Sequence, residues 1–358
     1  MKKAIIAMSG GVDSSVAALL TKKMGYECIG ATMKLFHNED IGVCRENSCC
    51  SLDDTLDARS VADSLGMPYY VFNFSDCFNE NVIDRFVCDY ENGRTPNPCI
   101  DCNRYLKFDK MFLRAKEIGY DYVVTGHYAI IEFDEKSGRY ILKKAKDDTK
   151  DQSYVLYSMT QEQLAHTLFP LGSLRKTEVR KIAEEYGFVN AKKHDSQDIC
   201  FVQTGTYADF IESYTGKKYP AGYFKDISGN ILGTHKGIIH YTVGQRKGLG
   251  ISSDRPLYVK SVNPDDNTVI LCHDEDLFTK TLEADNVNLI SVSDIKEPMR
   301  VTAKVRYRHN AQSATVTKIG DDTIRVEFDE PQRAVTKGQA VVLYDGDIVV
   351  GGGTICKV

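Results

Sequence analysis

The chain has 358 residues, of which 42% are hydrophobic and 27% charged, with a formal net charge of −5. This composition supplies the cores of two or three globular domains and excludes a uniformly basic nucleic-acid-binding module, so any nucleic-acid partner has to be held by a local basic surface. No apolar run reaches the ~18 residues of a membrane span, and Ala4 to Met8 is too short for the apolar part of a signal peptide, so a cytoplasmic protein with no membrane partner is expected.

The first half alternates strand and helix patterns. Ala4 to Ala7 is a short apolar run followed by glycines. Ser14 to Met24 reads as a helix closed by Gly25, and Glu27 to Lys34 as a strand. Asp53 to Leu65 is helical, with Ala58, Val61, Ala62 and Leu65 on one face. Tyr69 to Phe74 is a strand, Phe78 to Tyr90 and Asn103 to Ile118 are helices, and Asp121 to Thr125 is a further strand. This alternation predicts an α/β fold with a doubly wound, mostly parallel sheet. Ala129 to Lys144 reads as a hairpin turning at 135–138, and Ser153 to Tyr186 as mostly helical. Beyond about residue 215, short β-like runs alternate with turns, and Val301 to Val358 is nearly all strand-like. A β-rich central domain and a C-terminal β-barrel are therefore expected, with domains at 1–205, 206–290 and 291–358.

Two segments carry chemistry. The first is Ala7-Met8-Ser9-Gly10-Gly11-Val12-Asp13-Ser14-Ser15, between the first strand and the first helix. Its glycines allow close backbone approach to a ligand, its serine hydroxyls add donors, and the helix that follows presents free N–H groups and the positive end of its dipole. The loop lacks the lysine of a Walker motif and is not G-x-G-x-x-G. It resembles the ATP-pyrophosphatase loop S-G-G-x-D-S, whose enzymes cleave ATP between the α and β phosphates and adenylate a substrate oxygen. Met33, at the end of the second strand, sits where an adenine ring would lie or is a core methionine.

The second is a set of cysteines. There are eleven in all, a large number for a compartment that disfavours structural disulfides. Cys99 and Cys102 form a C-x-x-C in Thr95-Pro96-Asn97-Pro98-Cys99-Ile100-Asp101-Cys102-Asn103, where two prolines stiffen the entry to a helix and a cysteine near the helix N-terminus gains thiolate character. Cys200 follows in Asp195-Ser196-Gln197-Asp198-Ile199-Cys200-Phe201. A zinc site drawing on Cys44, Cys49 and Cys50, and a thioredoxin-like redox pair, are alternatives. Cys28, Cys272 and Cys356 read as small buried hydrophobes.

Together with Thr125-Gly126-His127-Tyr128-Ala129, Lys150-Asp151-Gln152-Ser153-Tyr154, Thr242-Val243-Gly244-Gln245-Arg246, Gly248-Leu249-Gly250, Val305-Arg306-Tyr307-Arg308 and Gly338-Gln339-Ala340-Val341, these segments closely resemble the tRNA-specific 2-thiouridylase family over nearly the whole chain. The resemblance implies an adenine nucleotide alpha-hydrolase-like catalytic domain with a helical tRNA-binding insertion. It implies ATP, with Mg2+, bound by Ala7 to Ser14, Met33 and Gly126, and adenylation of the C2 oxygen of the wobble uridine. Cys102 would be the nucleophilic cysteine and Cys200 the persulfide carrier, the two forming a transient disulfide. Asn97, Pro98 and Cys99 would face the target base, and His127, Lys150, Asp151, Gln152, Arg306, Tyr307 and Gln339 would contact tRNA. A cysteine desulfurase or sulfur-relay protein would donate sulfur.

Many members have aspartate where this chain has Cys99. Three thiolates, Cys99, Cys102 and Cys200, would also suffice to hold a [4Fe-4S] cluster with one open iron, so a persulfide relay and a cluster both stand. The loop Gln245-Arg246-Lys247-Gly248 reads as a phosphate contact or an exposed turn, and the basic helix from Arg175 to Lys181 as a binding or a solvated face. Two other functions compete. A small-molecule synthetase with the same loop would leave the cysteines unexplained. A non-catalytic iron–sulfur or RNA-binding protein would leave the loop unexplained.

Overall fold

The short apolar runs of the first half cannot bury both faces alone, so they pair side by side under helices. A computed structural model describes residues 1–36, 52–194, 199–202 and 205–358. Cys44, Cys49, Cys50 and Asp195 to Asp198 lie outside the described residues.

Lys3–Ala7 (β1), Glu27–Lys34 (β2), Tyr69–Asn73 (β3) and Tyr122–Val124 (β4) are parallel strands. A hairpin, Ile130–Asp134 (β5) and Arg139–Lys143 (β6), comes next. Thr167–Leu168 (β7) then completes a sheet of order β3-β2-β1-β4-β7. Helices Val12–Lys23, Leu52–Ser64 and Lys176–Glu185 bury Val16, Ala17, Ala58, Ala62, Val179 and Ala183 on one face. Met111, Phe112 and Ala115 cover the other. The α/β expectation holds. The stretch from Ser153 to Tyr186 departs from it: only Ser153–Leu156, Gln161–Ala165 and Lys176–Glu185 are helical, and β7 interrupts them. A two-residue strand is too short to show any period.

Gly222–Lys225 (β8), Ile231–His235 (β9), Tyr258–Asn263 (β10) and Thr268–Cys272 (β11) form a sheet of order β10-β11-β8-β9. Its apolar face, Phe224, Val259, Val269 and Leu271, shares one core with Phe78, Phe86 and Tyr90 of the helical stretch 75–91 and with Phe201 and Ile211. Phe201 packs edge-on against Phe78 and Phe86 at 5.8 and 5.2 Å. Leu106 and Phe201 belong to this core, and Cys102 and Cys200 pack against it, so the central sheet backs the cysteine segments.

Phe278–Leu289 (β12), Met299–Lys304 (β13), Gln312–Gly320 (β14), Thr323–Arg333 (β15), Ala340–Asp345 (β16) and Ile348–Lys357 (β17) close into a six-stranded antiparallel barrel through β12–β17. Closure removes the open edges. The barrel starts at Phe278, ahead of the expected boundary at 291, because the largely polar β12 hides its alternation. The hairpin β5–β6 extends the barrel sheet through Ile348↔Lys143. No described helix is long and apolar enough to cross a membrane.

Candidate active site

In the sheet order β3-β2-β1-β4-β7 the winding reverses between β1 and β4. Chain leaving the carboxyl ends of these two strands diverges, and the crevice between is where open α/β sheets take ligands. The loop Ser9 to Ser15 follows β1, and Thr125 to Tyr128 follow β4. Both line a cavity of about 470 Å³.

The nucleotide-type loop is held open by its own hydroxyls. Ser14 donates to the Gly11 carbonyl at 2.9 Å and accepts from the Ser9 N–H at 3.2 Å, and Ser15 donates to the same carbonyl at 3.1 Å. Asn190 donates to the Gly10 carbonyl and the Ser15 hydroxyl, each at 2.9 Å. Ser14 and Ser15 thus brace the turn, and Ser14 also lines the cavity. No side chain caps helix Val12–Lys23, so its first N–H groups are left for an anion. Gly10 has φ +73°, and a Cβ there would lie 2.3 Å from the Asp54 carbonyl oxygen. Gly10→Ala should therefore destabilise the fold by about 2 kcal/mol, measurable as a lower denaturant midpoint.

Lys176, buried at the start of its helix, reaches 163 residues back to Asp13. Its ammonium lies 2.8 and 2.7 Å from the two carboxylate oxygens, and Tyr128 donates to the first of these at 2.8 Å. Lys193 binds Asp54 and Asp57, each at 2.6 Å, on the opposite side of the loop. Asp13, Tyr128, Lys193 and Asp54 all line the cavity. The sequence singled out Asp13 but not Lys176, Tyr128, Asn190, Lys193 or Asp54, which come together only through the fold. The basic segment 175–181 was the one signal of Lys176.

The cysteine segment enters the same cavity from the other wall. Asn97 caps a helical start by accepting from the Cys99 N–H at 3.2 Å, with Pro98 in the first turn. Gln339 of the barrel donates to the Thr95 and Pro96 carbonyls at 2.7 and 3.1 Å and fixes the approach. Cys102–Lys110 is wound as a π-helix between two α-helical pieces, a widened turn often found at functional sites. Cys99, Cys102 and Cys200 line the cavity with Met33, Gly126 and Lys107, and none of the three is in a disulfide. Among the described residues no three His, Cys, Asp or Glu side chains are arranged to hold a metal ion, and no step is derived through a cluster. Cys356 is corrected, being exposed, whereas Cys28 and Cys272 are buried.

Asp101, between the cysteines, is nearly buried beside Arg85 at 3.8 Å. Burial pushes its carboxyl up to about 6, against the pull of Arg85 and Arg104. Its folded value exceeds its unfolded one, so folded chains bind more protons between about pH 4 and 6 and this group's contribution to stability falls as pH rises through that window. Asp101→Asn should flatten this decline, read as the difference between the two proteins' unfolding free energies against pH.

The expected tRNA contacts fall into two groups. Lys150, Gln152 and Tyr307 line the cavity, and Tyr307 donates to the Asp151 carbonyl at 3.1 Å. The Gln152 amide oxygen accepts from the Tyr128 N–H, and the Asp151 carboxylate accepts from Ala145 and Ser153. His127 is buried in the wall, packed against Phe108 and Phe169 and sharing a 2.6 Å hydrogen bond with Thr125. Burial, then Lys107, hold its imidazole well below its ordinary value and so neutral. Arg306 donates to the Val243 and Ala334 carbonyls and the Thr336 hydroxyl. It and Gln339 brace the walls in this state.

The profile of the tRNA methyl transferase HUP domain matches residues 2–204. That of the tRNA methyl transferase PRC-barrel domain matches 208–273, and that of the aminomethyltransferase beta-barrel domain 279–355. The chain is 55% identical over 356 residues to the tRNA-specific 2-thiouridylase MnmA of Clostridioides difficile (strain 630), covering 99% of this chain and 98% of the relative. It is 53% identical to the protein of the same name from Lachnoclostridium phytofermentans, over the full length of both. Among solved structures, a 4-thiouridine synthetase–RNA complex with bound ATP is 19% identical with a TM-score of 0.38, covering 60% of this chain and 50% of that one. With near-full-length identity above one half, the chain belongs to the tRNA-specific 2-thiouridylase family.

Proposed function

We propose that the protein is a tRNA-uridine 2-sulfurtransferase that uses ATP to replace the C2 oxygen of the wobble uridine with sulfur. One observation carries this reading: the adenylation-type loop and three cysteines that form no disulfide line one cavity. The C2 oxygen of uridine is a poor leaving group. Its attack on the α-phosphorus of ATP, taken as the Mg2+ complex, expels pyrophosphate and turns that oxygen into part of an AMP leaving group. A sulfur nucleophile then adds at C2, and AMP departs with the original oxygen.

The nucleophile is the terminal sulfur of a persulfide on Cys200, loaded by a cysteine desulfurase or relay protein. After it bonds to C2, the Cys102 thiolate attacks the Cys200 sulfur. The S–S bond to the substrate breaks, leaving the C2 thiocarbonyl and a Cys102–Cys200 disulfide, which an external dithiol reduces. An anticodon-loop base is unpaired, so it can turn into the cavity without opening a duplex. Asn97, Pro98 and Cys99 meet it there, and Lys150 and Tyr307 hold the flanking backbone.

ATP–pyrophosphate exchange with and without unmodified tRNA tests this reading. Exchange that depends on tRNA, followed by 2-thiouridine in the digested product, is the expected result. Exchange supported by a small amide acceptor without tRNA would replace it with the synthetase reading.

A further inference from the structure

Residues 242–257 form a loop outside the cysteine cavity, and they border a second cavity of about 420 Å³ whose lining includes Arg246, Gly248, Gly250, Asp254 and Arg255. The loop is braced on both sides. The Gly244 N–H donates to the Val259 carbonyl, and the Val259 N–H to the Gln245 carbonyl. The Gln245 side chain accepts from the Thr242 N–H at 3.0 Å and donates to the Lys247 carbonyl at 3.0 Å.

On this fixed frame Arg246 and Lys247 are exposed, and neither cationic head has a hydrogen-bond or ion-pair partner among the described residues. Arg255 differs, since it pairs with Glu275 at 2.7 Å and feels Asp254. In a chain of net charge −5, two adjacent, uncompensated cations on a braced loop form a local basic surface able to hold an anion.

The loop is tied to the first cavity. Arg306 donates to the Val243 carbonyl at 3.2 Å, and its neighbour Tyr307 lines the cysteine cavity. Val243 and Arg246 can be no more than about 11 Å apart, so the two cations lie close to the point where the loop meets Arg306. We infer that Arg246 and Lys247 form a backbone-phosphate contact for RNA, gripping the substrate strand beside the nucleotide that is modified. This rests on the thiolation reading for the identity of the polymer.

Titration of unmodified tRNA at several salt concentrations tests it, using the full chain and the variants Arg246→Ala, Lys247→Ala and Arg255→Ala. Each of the first two should lower the slope of log affinity against log salt by about one and weaken binding at low salt about tenfold. Arg255→Ala should change the slope less. Unchanged slope and affinity in both Arg246→Ala and Lys247→Ala would overturn the inference. So would an equal loss at every salt concentration, which marks a structural role. Inorganic pyrophosphate, titrated alone, tests the other source of phosphate: binding that Arg246→Ala abolishes, with tRNA affinity intact, would make this a small-anion site. A wild-type protein that binds no tRNA removes the thiolation reading itself, a result that needs no variant.

Discussion

A Lys176→Met protein should lose tRNA-dependent pyrophosphate exchange by two to three orders of magnitude. The loop after β1 has no lysine of its own, yet a triphosphate needs a cation at the bond that breaks. Lys176, on a distant helix, is the cation that the fold brings to this loop, where its ammonium pairs with Asp13 at 2.7 Å, and the expected loss tests whether it serves the triphosphate. The side chains of Lys176 and Asp13 are 10% and 32% exposed, so losing one partner leaves a partly shielded charge and costs about 1–2 kcal/mol of stability. The catalytic loss should far exceed that. Lys176→Arg should recover only part of the rate, because a planar fork does not replace a compact ammonium. Asp13→Asn and the double variant complete a cycle. Coupling of about 1–3 kcal/mol between the sites is expected, and strict additivity would mean that the pair does not act as a unit.

A Cys200→Ser protein should make no 2-thiouridine while still binding tRNA and exchanging pyrophosphate. A serine hydroxyl cannot carry a persulfide sulfur, but adenylation does not need one. Cys102→Ser should fail at a later step. The terminal sulfur would reach C2, and with no thiolate to cleave the S–S bond the tRNA would stay joined to Cys200. A protein–tRNA adduct that dithiothreitol releases is the expected signature on a denaturing gel. Thiolation at the wild-type rate by Cys200→Ser would end the persulfide assignment, and loss of tRNA binding would give Cys200 a structural role.

The sequence made legible what local chemistry encodes. Ser9 to Ser15, the paired cysteines and the alternation of β1 to β4 are contiguous patterns, and the fold delivers each to the carboxyl ends of one sheet. Other features were out of reach for physical reasons. Lys176 and Asn190 reach Asp13 and the Gly10 carbonyl, and Lys193 reaches Asp54, each from more than 130 residues away, and beyond the basic run at 175–181 nothing in their surroundings separates them from solvated polar residues. That the hydroxyls of Ser14 and Ser15 also donate to the Gly11 carbonyl is visible only once the turn has closed. Arg306 and Gln339 are conspicuous polar residues in strand-like sequence. Only the packed junction reveals that backbone carbonyls use their donors.

The hairpin β5–β6 has one more consequence. Leu142 is fully buried in a core with Val342, Tyr344 and Val349, and Arg139 donates to the Leu289 and Ile290 carbonyls. During translation at 5–20 residues per second, the hairpin leaves the ribosome roughly 10–40 s before its partner strand β17. Over that interval Leu142 can pack against Phe108, Tyr154 and Leu156 but lacks Val342, Tyr344 and Val349, so this core is completed only when the barrel strands have emerged.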